Sequence, residues 1–323
     1  MRRVNGYLDL DDYFLKKLHL QSDEVFFGYE QVLYNKYKFL RFSDYANSHY
    51  WLTIEGKEYY FKPTAGAYKE IVASKLAKSI GLNAVNYDFA IFSGIPGAIS
   101  ESFINKGSEY FSGEDLLKIF FTKNKDFLKN MGMQDFDDAD YEYCFNVYGA
   151  LNNLEIIWPM LEELFPNNKN DIQKVMKDIT DLFVFKIFIH NADAESYNWQ
   201  LEKTKDGKIR LAPIYDNEDS FVNGLDITRT TVSLDSDYLI SNNLKEYITK
   251  SSDEFVDRFL ELFAKFSDVD NFYMILDEIE QECGSELENF DKPSIIAGYL
   301  ESISEIKKVL SELDLNTGRR SNG

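Results

Sequence analysis

The chain has 323 residues, a formal net charge of −20, 44% hydrophobic residues and 15% aromatic residues. That length and apolar content suffice for a sizeable core, in one large domain or two lobes. The acidity argues against a nucleic-acid partner held by phosphate neutralisation and would instead attract basic partners.

In chain order, "MRRVNGYLDLDDYF" opens with two basic residues but no apolar run, so it does not read as a secretory signal. A helix is expected near Leu8–Leu20. Three strand-like runs follow: Tyr37–Phe42, Tyr50–Ile54 and Glu58–Pro63. The last two are joined by a tight turn in which Gly56 can take a positive φ. In "AYKEIVASKLAKSIG", Ile71, Leu76 and Ile80 mark one helical face and Gly81 is a natural C-cap. Two more strands, "NYDFAIFSG" and "GAISESFI", flank a "GIPG" turn. These elements make a β-rich N-terminal lobe with one helix, residues 1–106.

After Lys106 the periodicity turns helical, which defines a C-terminal lobe over residues 107–313. Helices are expected in "GEDLLKIFFTKNKDFLKNM", "DADYEYCFNVYGALNNL", "EIIWPMLEELF" and "NDIQKVMKDITDLFVFKIFIHN", with a break or kink at Pro159. Further on, "SSDEFVDRFLELFAKF" opens with a capping-box pattern, Ser251-x-x-Glu254. "VDNFYMILDEIEQEC" and "PSIIAGYLESISEIKKVLSEL" complete the helical set, and the tail, residues 314–323, is expected to be disordered. The apolar run "LFVFKIFI" is too short to span a bilayer and carries Lys186, so no membrane association is expected. Cys144 and Cys283 are far apart and read as small buried hydrophobes in a reducing compartment, which makes the expected location cytoplasmic. The three histidines, His19, His49 and His190, lack the helical spacing of a zinc site.

One stretch interrupts the helices. In "HNADAESYNWQLEKTKDGKIRLAPIYDNED", two strands flank an Asp206-Gly207 turn, the signature of a hairpin. A hairpin returns the chain to its start, so Asn198, opening the first strand, and Asp216, ending the second, should lie close together. Asp193 sits five residues before Asn198, on the loop leaving the preceding helix. Three oxygen-bearing side chains then gather at one end of the hairpin, the donor chemistry that Mg²⁺ takes alongside phosphate oxygens. Asp and Asn are also ordinary turn residues, and both readings stand on spacing alone.

The Asp-x-x-x-x-Asn spacing is that of a phosphoryl-transfer catalytic loop, in which the Asp orients the nucleophile and the Asn holds metal. Such a site also needs a cation on the nucleotide phosphates and a carboxylate to fix it. Lys62 at a strand end and Glu70 in the first turn of the next helix supply both residue types in the right order. Read singly, Lys62 is an exposed strand-end lysine and Glu70 an acid favoured by the helix dipole.

With these residues in place, the sequence resembles the HipA-like kinase family, a bacterial branch of the protein-kinase-like fold. The resemblance spans Tyr50 to Phe221 and rests on "YYFKPT…YKEIVASKLAKSIGLNAVNYDFAIF", "GAISESF" and "NADAESYNWQLE…IRLAPIYDNEDS". It implies an α+β, bilobal protein-kinase-like fold: a small β-rich N-lobe with one helix, and a larger, mainly helical C-lobe. It implies ATP and Mg²⁺ as cofactors, Lys62 on the ATP phosphates with Glu70 as its partner, and Glu101–Phe103 as the strand whose backbone meets adenine. Asp193 becomes the catalytic base, and Asn198 and Asp216 become the metal ligands.

Family members commonly carry a His two residues after the catalytic Asp, where this chain has Glu195. Their phosphate-covering loop commonly bears glycine, whereas "SDYANS" (Ser43–Ser48) has none. That loop offers Ser43 and Ser48, the position at which the family is known for self-phosphorylation. A phosphate there would place nearly two negative charges beside incoming ATP.

The leading expectation is an ATP- and Mg²⁺-dependent serine/threonine kinase acting on a protein substrate, with a basic one favoured by charge. An antitoxin-like partner belongs to the family's context and is not implied by any motif of this chain. Two alternatives remain: a pseudokinase that binds a nucleotide or a partner, and a kinase-fold enzyme with a small-molecule acceptor or AMP transfer.

Overall fold

The computed structural model describes residues 3–4, 7–9, 40–42, 50–63, 66–92, 95–124, 154–191, 196–221, 244–245, 248–249, 252–283 and 291–315. The protein is mixed α+β and divides into two compact units. The first comprises Met1–Phe103 and Asp268–Lys292, the second Ile104–Ser267 and Pro293–Gly323.

The first unit is built on a seven-stranded sheet. Its strands are β1 (Arg3–Val4), β2 (Tyr7–Asp9), β3 (Leu40–Phe42), β4 (Tyr50–Ile54), β5 (Lys57–Lys62), β6 (Tyr87–Phe92) and β7 (Ile95–Glu101), in the order β1-β2-β6-β7-β5-β4-β3. All neighbours pair antiparallel except β2 with β6. Leu8 and Asp9 are therefore strand residues, where a helix was expected. Their ladder to Ala90 and Ile91 is a long-range pairing that local periodicity does not carry.

In β4, Tyr50, Leu52 and Ile54 alternate inward, the period-2 pattern of a half-buried strand. The turn after it uses positive φ at both Glu55 and Gly56. Between β6 and β7 the turn falls earlier than "GIPG": Pro96 already pairs with Ile91 inside β7. The described ladder of β5 on β7 ends at Lys62 and Ala98, two residues from the proline, a position near the end of the pairing where proline is tolerated.

Helix α1 (Ala67–Ser79) packs on β6 and β7, with Tyr68 stacked on Phe89 at 5.6 Å between ring centroids. Gly81, at φ +90°, follows its C-terminus. A second helix joins this unit from far along the chain, numbered α6 below (Val269–Cys283), a stretch that the sequence groups with the C-terminal helices. It lies against α1, where Lys75 pairs with Glu282 at 3.2 Å. Cys283 is buried there, and burial pushes its thiol up to about 12, so it stays a protonated, inert hydrophobe. Cys144 lies outside the described residues.

The second unit contains a three-stranded antiparallel sheet, β10-β9-β8, formed by β8 (Glu109–Ser112), β9 (Gln200–Lys203) and β10 (Ile209–Leu211). The hairpin β9–β10 turns at Gly207, with φ +80°. Around it stand α2 (Gly113–Lys123), α3 (Leu154–Leu164), α4 (Lys169–Phe188), α5 (Asp253–Phe266) and α7 (Lys292–Glu312).

Strand β8 was not expected from the sequence. It is four residues long and runs straight into α2, whose Ser112 and Asp115 form a capping box. Ser251 of the expected capping box lies outside the described residues; the N-cap of α5 is Ser252, without a side-chain capping bond. Nor does Pro159 end a helix, since α3 continues through it. The expected helix over residues 138–154 lies outside the described residues but for Leu154. Asp314 and Leu315, expected in a disordered tail, close the end of α7, with the Leu315 N–H donating to the Leu310 carbonyl at 2.8 Å.

The core of this unit centres on Phe188 of α4, whose ring meets Phe259, Phe263 and Phe266 of α5 at 4.8–5.6 Å between centroids. Arg258 of α5 grips Asp181 of α4 at 2.8 Å, and Ser302 of α7 donates to the Phe188 carbonyl at 2.6 Å. No described helix is long and apolar enough to cross a membrane.

Candidate functional site

The chemistry-bearing residues fall into one set in each unit. In the first, β5 ends at Lys62, whose backbone pairs with Ala98 of β7. Its ammonium lies 3.0 Å from Glu70 Oε2 in the first turn of α1, and the two residues are 2% and 0% exposed. Reading Lys62 as an exposed strand-end lysine is therefore wrong. The packing of α1 across the sheet takes the strand end out of water. Gly97, beside Ala98, must lack a side chain, because a Cβ there would run into the Lys62 carbonyl and the Phe61 ring.

Glu101 ends β7, pairs with Tyr59, and turns an exposed carboxylate onto Lys57 at 2.8 Å. The expected strand Glu101–Phe103 stops there: Ser102 N–H donates to the Glu58 carbonyl at 2.8 Å, and Phe103 lies beyond the ladder. The Ser102 amide is thereby already committed within the sheet.

In the second unit, α4 ends at Phe188, and His190 turns the chain with φ +45°. Asp193 and Glu195 lie outside the described residues, bracketed by Asn191 and Ser196, both buried. Asn198 does not open a strand as expected. It closes a 3₁₀ turn, Ser196–Asn198, that precedes β9, and is 3% exposed. Gly113 at the start of α2 lets that turn pack closely, since a Cβ there would overlap the Trp199 ring and the Ser196 carbonyl. Its N–H donates to the Trp199 carbonyl at 3.0 Å.

Asp216 follows β10 and adopts φ +59°, the left-handed region that Asp enters more readily than most residues. The segment around it is held from several sides. Lys186 of α4, 4% exposed, donates to the Asp216 carbonyl at 2.6 Å and, at a longer 3.3 Å, to the Tyr215 carbonyl. Asn191 donates to Ser220 Oγ at 3.1 Å, and Phe221 N–H to the Ile189 carbonyl at 2.7 Å. Phe221 is itself at φ +56°, with its backbone so close to α7 that Gly298 has no room for a Cβ. The Tyr215 hydroxyl donates to the Tyr197 carbonyl at 3.1 Å, which ties the residue before Asp216 to the residue before Asn198.

None of these supports was singled out from the sequence. For Lys186 there is a signal, a lysine inside the apolar run "LFVFKIFI". Glu202, a buried acid of the hairpin, was also missed. It accepts from Arg210 at 2.6 Å, Ser108 at 2.7 Å and Asn105 at 3.0 Å. Burial pushes its carboxyl up, but these donors outweigh burial and hold it below its ordinary value.

Among the described residues no three His, Cys, Asp or Glu side chains cluster as a metal site. Asn198 and Asp216 offer oxygen donors on segments tied to one another, which fits Mg²⁺ completed by phosphate oxygens and water. Ser43 and Ser48 lie outside the described residues.

No protein-family model and no curated sequence matches the chain. Among solved structures, it is similar to the Helicobacter pylori proinflammatory kinase CtkA, at 14% identity and a TM-score of 0.42, over 79% of this chain and 94% of that one. It is also similar to HipA of the Shewanella oneidensis MR-1 toxin–antitoxin system, solved with HipB and operator DNA. That likeness has 15% identity and a TM-score of 0.43, over 93% of this chain and 74% of that one. LicA in complex with AMP follows at 14% identity and a TM-score of 0.26, over 84% and 91%.

Proposed function

We propose that the protein is an ATP- and Mg²⁺-dependent phosphotransferase, acting as a serine/threonine kinase on a protein substrate. The observation that carries this reading is the Lys62–Glu70 ion pair, a lysine at a strand end fixed by a glutamate one helical turn into the next element, with both out of water. A buried charge pair contributes little to net stability, so its presence favours a task for the cation. The AMP-bound LicA structure is in keeping with a nucleotide ligand.

In this reading Lys62, oriented by Glu70, binds the nucleotide phosphates, and Asn198 and Asp216 hold Mg²⁺. The metal, when bound, neutralises charge on the phosphates. Asp193 accepts the proton of the acceptor hydroxyl as its oxygen forms a bond to the γ-phosphorus, while the bond from that phosphorus to the β–γ bridging oxygen breaks and ADP leaves. Backbone groups of Glu101–Phe103 meet adenine, and Ser43 or Ser48 is the site of self-phosphorylation, which would repel incoming ATP. The acidic chain favours a basic acceptor protein, and an antitoxin-like partner fits the HipA likeness.

Mass spectrometry of the purified protein after incubation with ATP and Mg²⁺ tests the reading. A gain of phosphate mapped to Ser43 or Ser48 supports it. A gain of AMP replaces phosphoryl transfer with adenylyl transfer. No gain on the chain itself or on a basic protein acceptor, with an ATP-induced melting shift retained, replaces the enzyme with a nucleotide-binding module.

A further inference from the structure

A lysine in an apolar helical run is costly unless its charge is used. Lys186 is such a residue: it lies two residues from Phe188, the centre of the second unit's core, and is 4% exposed. Its ammonium reaches the carbonyls of Tyr215 and Asp216, at 3.3 and 2.6 Å. Those carbonyls belong to the peptides that enter and leave Asp216, the residue in the left-handed region. Donation from a charged group to a carbonyl is stronger than between neutral groups, and in a buried setting it is stronger still. On the far side of the same two residues, the Tyr215 hydroxyl crosses to the Tyr197 carbonyl.

We infer that Lys186 and Tyr215 are positioning residues that fix Asp216 against Asn198 and thereby set the affinity of the site for a divalent cation. The inference rests on the metal-ligand role proposed for Asn198 and Asp216. Lys186 holds the backbone of Asp216 by its carbonyl, and the left-handed φ fixes how that backbone presents the side chain. Tyr215 sets the spacing, since its hydroxyl bond spans the two residues that immediately precede the two ligands. Neither touches substrate or metal, so each acts through Asp216.

Charge gives this reading a sign that electrostatics alone cannot imitate. Replacing Lys186 by Met removes a positive charge from beside a cation site, which by Coulomb's law should tighten the metal. Loss of a geometric support should weaken it instead, by about tenfold or more, as outer-shell replacements do.

The experiment compares full-length wild type, Lys186→Met and Tyr215→Phe by two readouts. The first is hydrogen exchange over residues 212–221, where Ala212, Ser220 and Phe221 donate backbone hydrogen bonds. The second is the Mg²⁺ dependence of the melting shift produced by saturating ATP. The expected result for Lys186→Met is faster exchange at Ser220 and Phe221, with Ala212 and α4 unchanged. Its half-saturating Mg²⁺ should rise about tenfold, with the metal-free ATP shift retained. Tyr215→Phe, which removes one hydroxyl from a half-buried side chain, should move Mg²⁺ in the same direction by less. Wild-type Mg²⁺ dependence in both variants, or tighter Mg²⁺ in Lys186→Met, overturns the inference. A wild type whose ATP shift ignores Mg²⁺ overturns the metal-ligand roles themselves, and the exchange data then decide separately whether Lys186 holds the turn.

Discussion

Lys62 and Glu70 face each other at 3.0 Å, both buried from solvent, eight residues apart in sequence and on different kinds of element. Removing one partner strands the other's charge in the interior, which costs about 3–5 kcal/mol, whereas removing both can be nearly neutral. Lys62→Met should therefore lower the urea midpoint sharply. Lys62→Met combined with Glu70→Leu should recover most of the loss while ATP binding stays absent in both. A single variant as stable as wild type would mean that Glu70 finds another partner.

Asp216 separates metal binding from backbone conformation. Asn tolerates the left-handed region about as well as Asp, while Ala there costs on the order of 1 kcal/mol. Asp216→Asn should keep the apo melting temperature, Asp216→Ala should lower it, and both should lose the Mg²⁺-dependent part of the ATP shift. Equal apo melting temperatures for the two would show that the turn carries no conformational cost.

For Asp193, a base acting mainly in the transition state predicts a split between binding and turnover. Asp193→Asn should reduce phosphate incorporation by about a hundredfold or more while leaving the ATP-induced melting shift in place. Equal incorporation in mutant and wild type would assign the proton to another group.

Glu202 gives a pH dependence with a definite sign. Its carboxyl is held below the ordinary 4.5 in the folded protein, so its contribution to stability is complete above that value and is lost as pH falls through the lowered one. Glu202→Gln should be less stable than wild type near neutrality. The two stability curves should converge as the medium is acidified through the lowered value and below it. Parallel curves in urea titrations across that range would place the shift elsewhere.

The local patterns in this sequence were readable where the physics is local. The alternation of Tyr50, Leu52 and Ile54 gives β4, and the Asp206-Gly207 pair gives the turn of the hairpin. Leu8 and Asp9 misled because their partners, Ala90 and Ile91, are far along the chain. The burial of Lys62 was invisible for a related reason, since a strand-end lysine looks solvated until a helix packs over it. Lys186 shows the limit for the candidate site. Its partners are backbone carbonyls thirty residues away, and a carbonyl has no residue type by which to announce itself. Of the site, the side chains that offer chemistry were legible by spacing, and the ones that hold their backbone were not.

Gly298, in the first third of α7, costs a helix about 1 kcal/mol relative to Ala and lets the Phe221 backbone lie against it. This has a consequence for how the protein matures during synthesis. The turn at Asp216 is translated well before the helix that seats Phe221, which comprises Lys292–Glu312. A nascent chain can form the hairpin β9–β10 and close the β8 ladder, yet the 216–221 segment acquires its last support only when α7 has left the ribosome. The frame around the proposed metal ligands is thereby completed only once α7 has been made, and a chain cut short before α7 carries every proposed ligand without it.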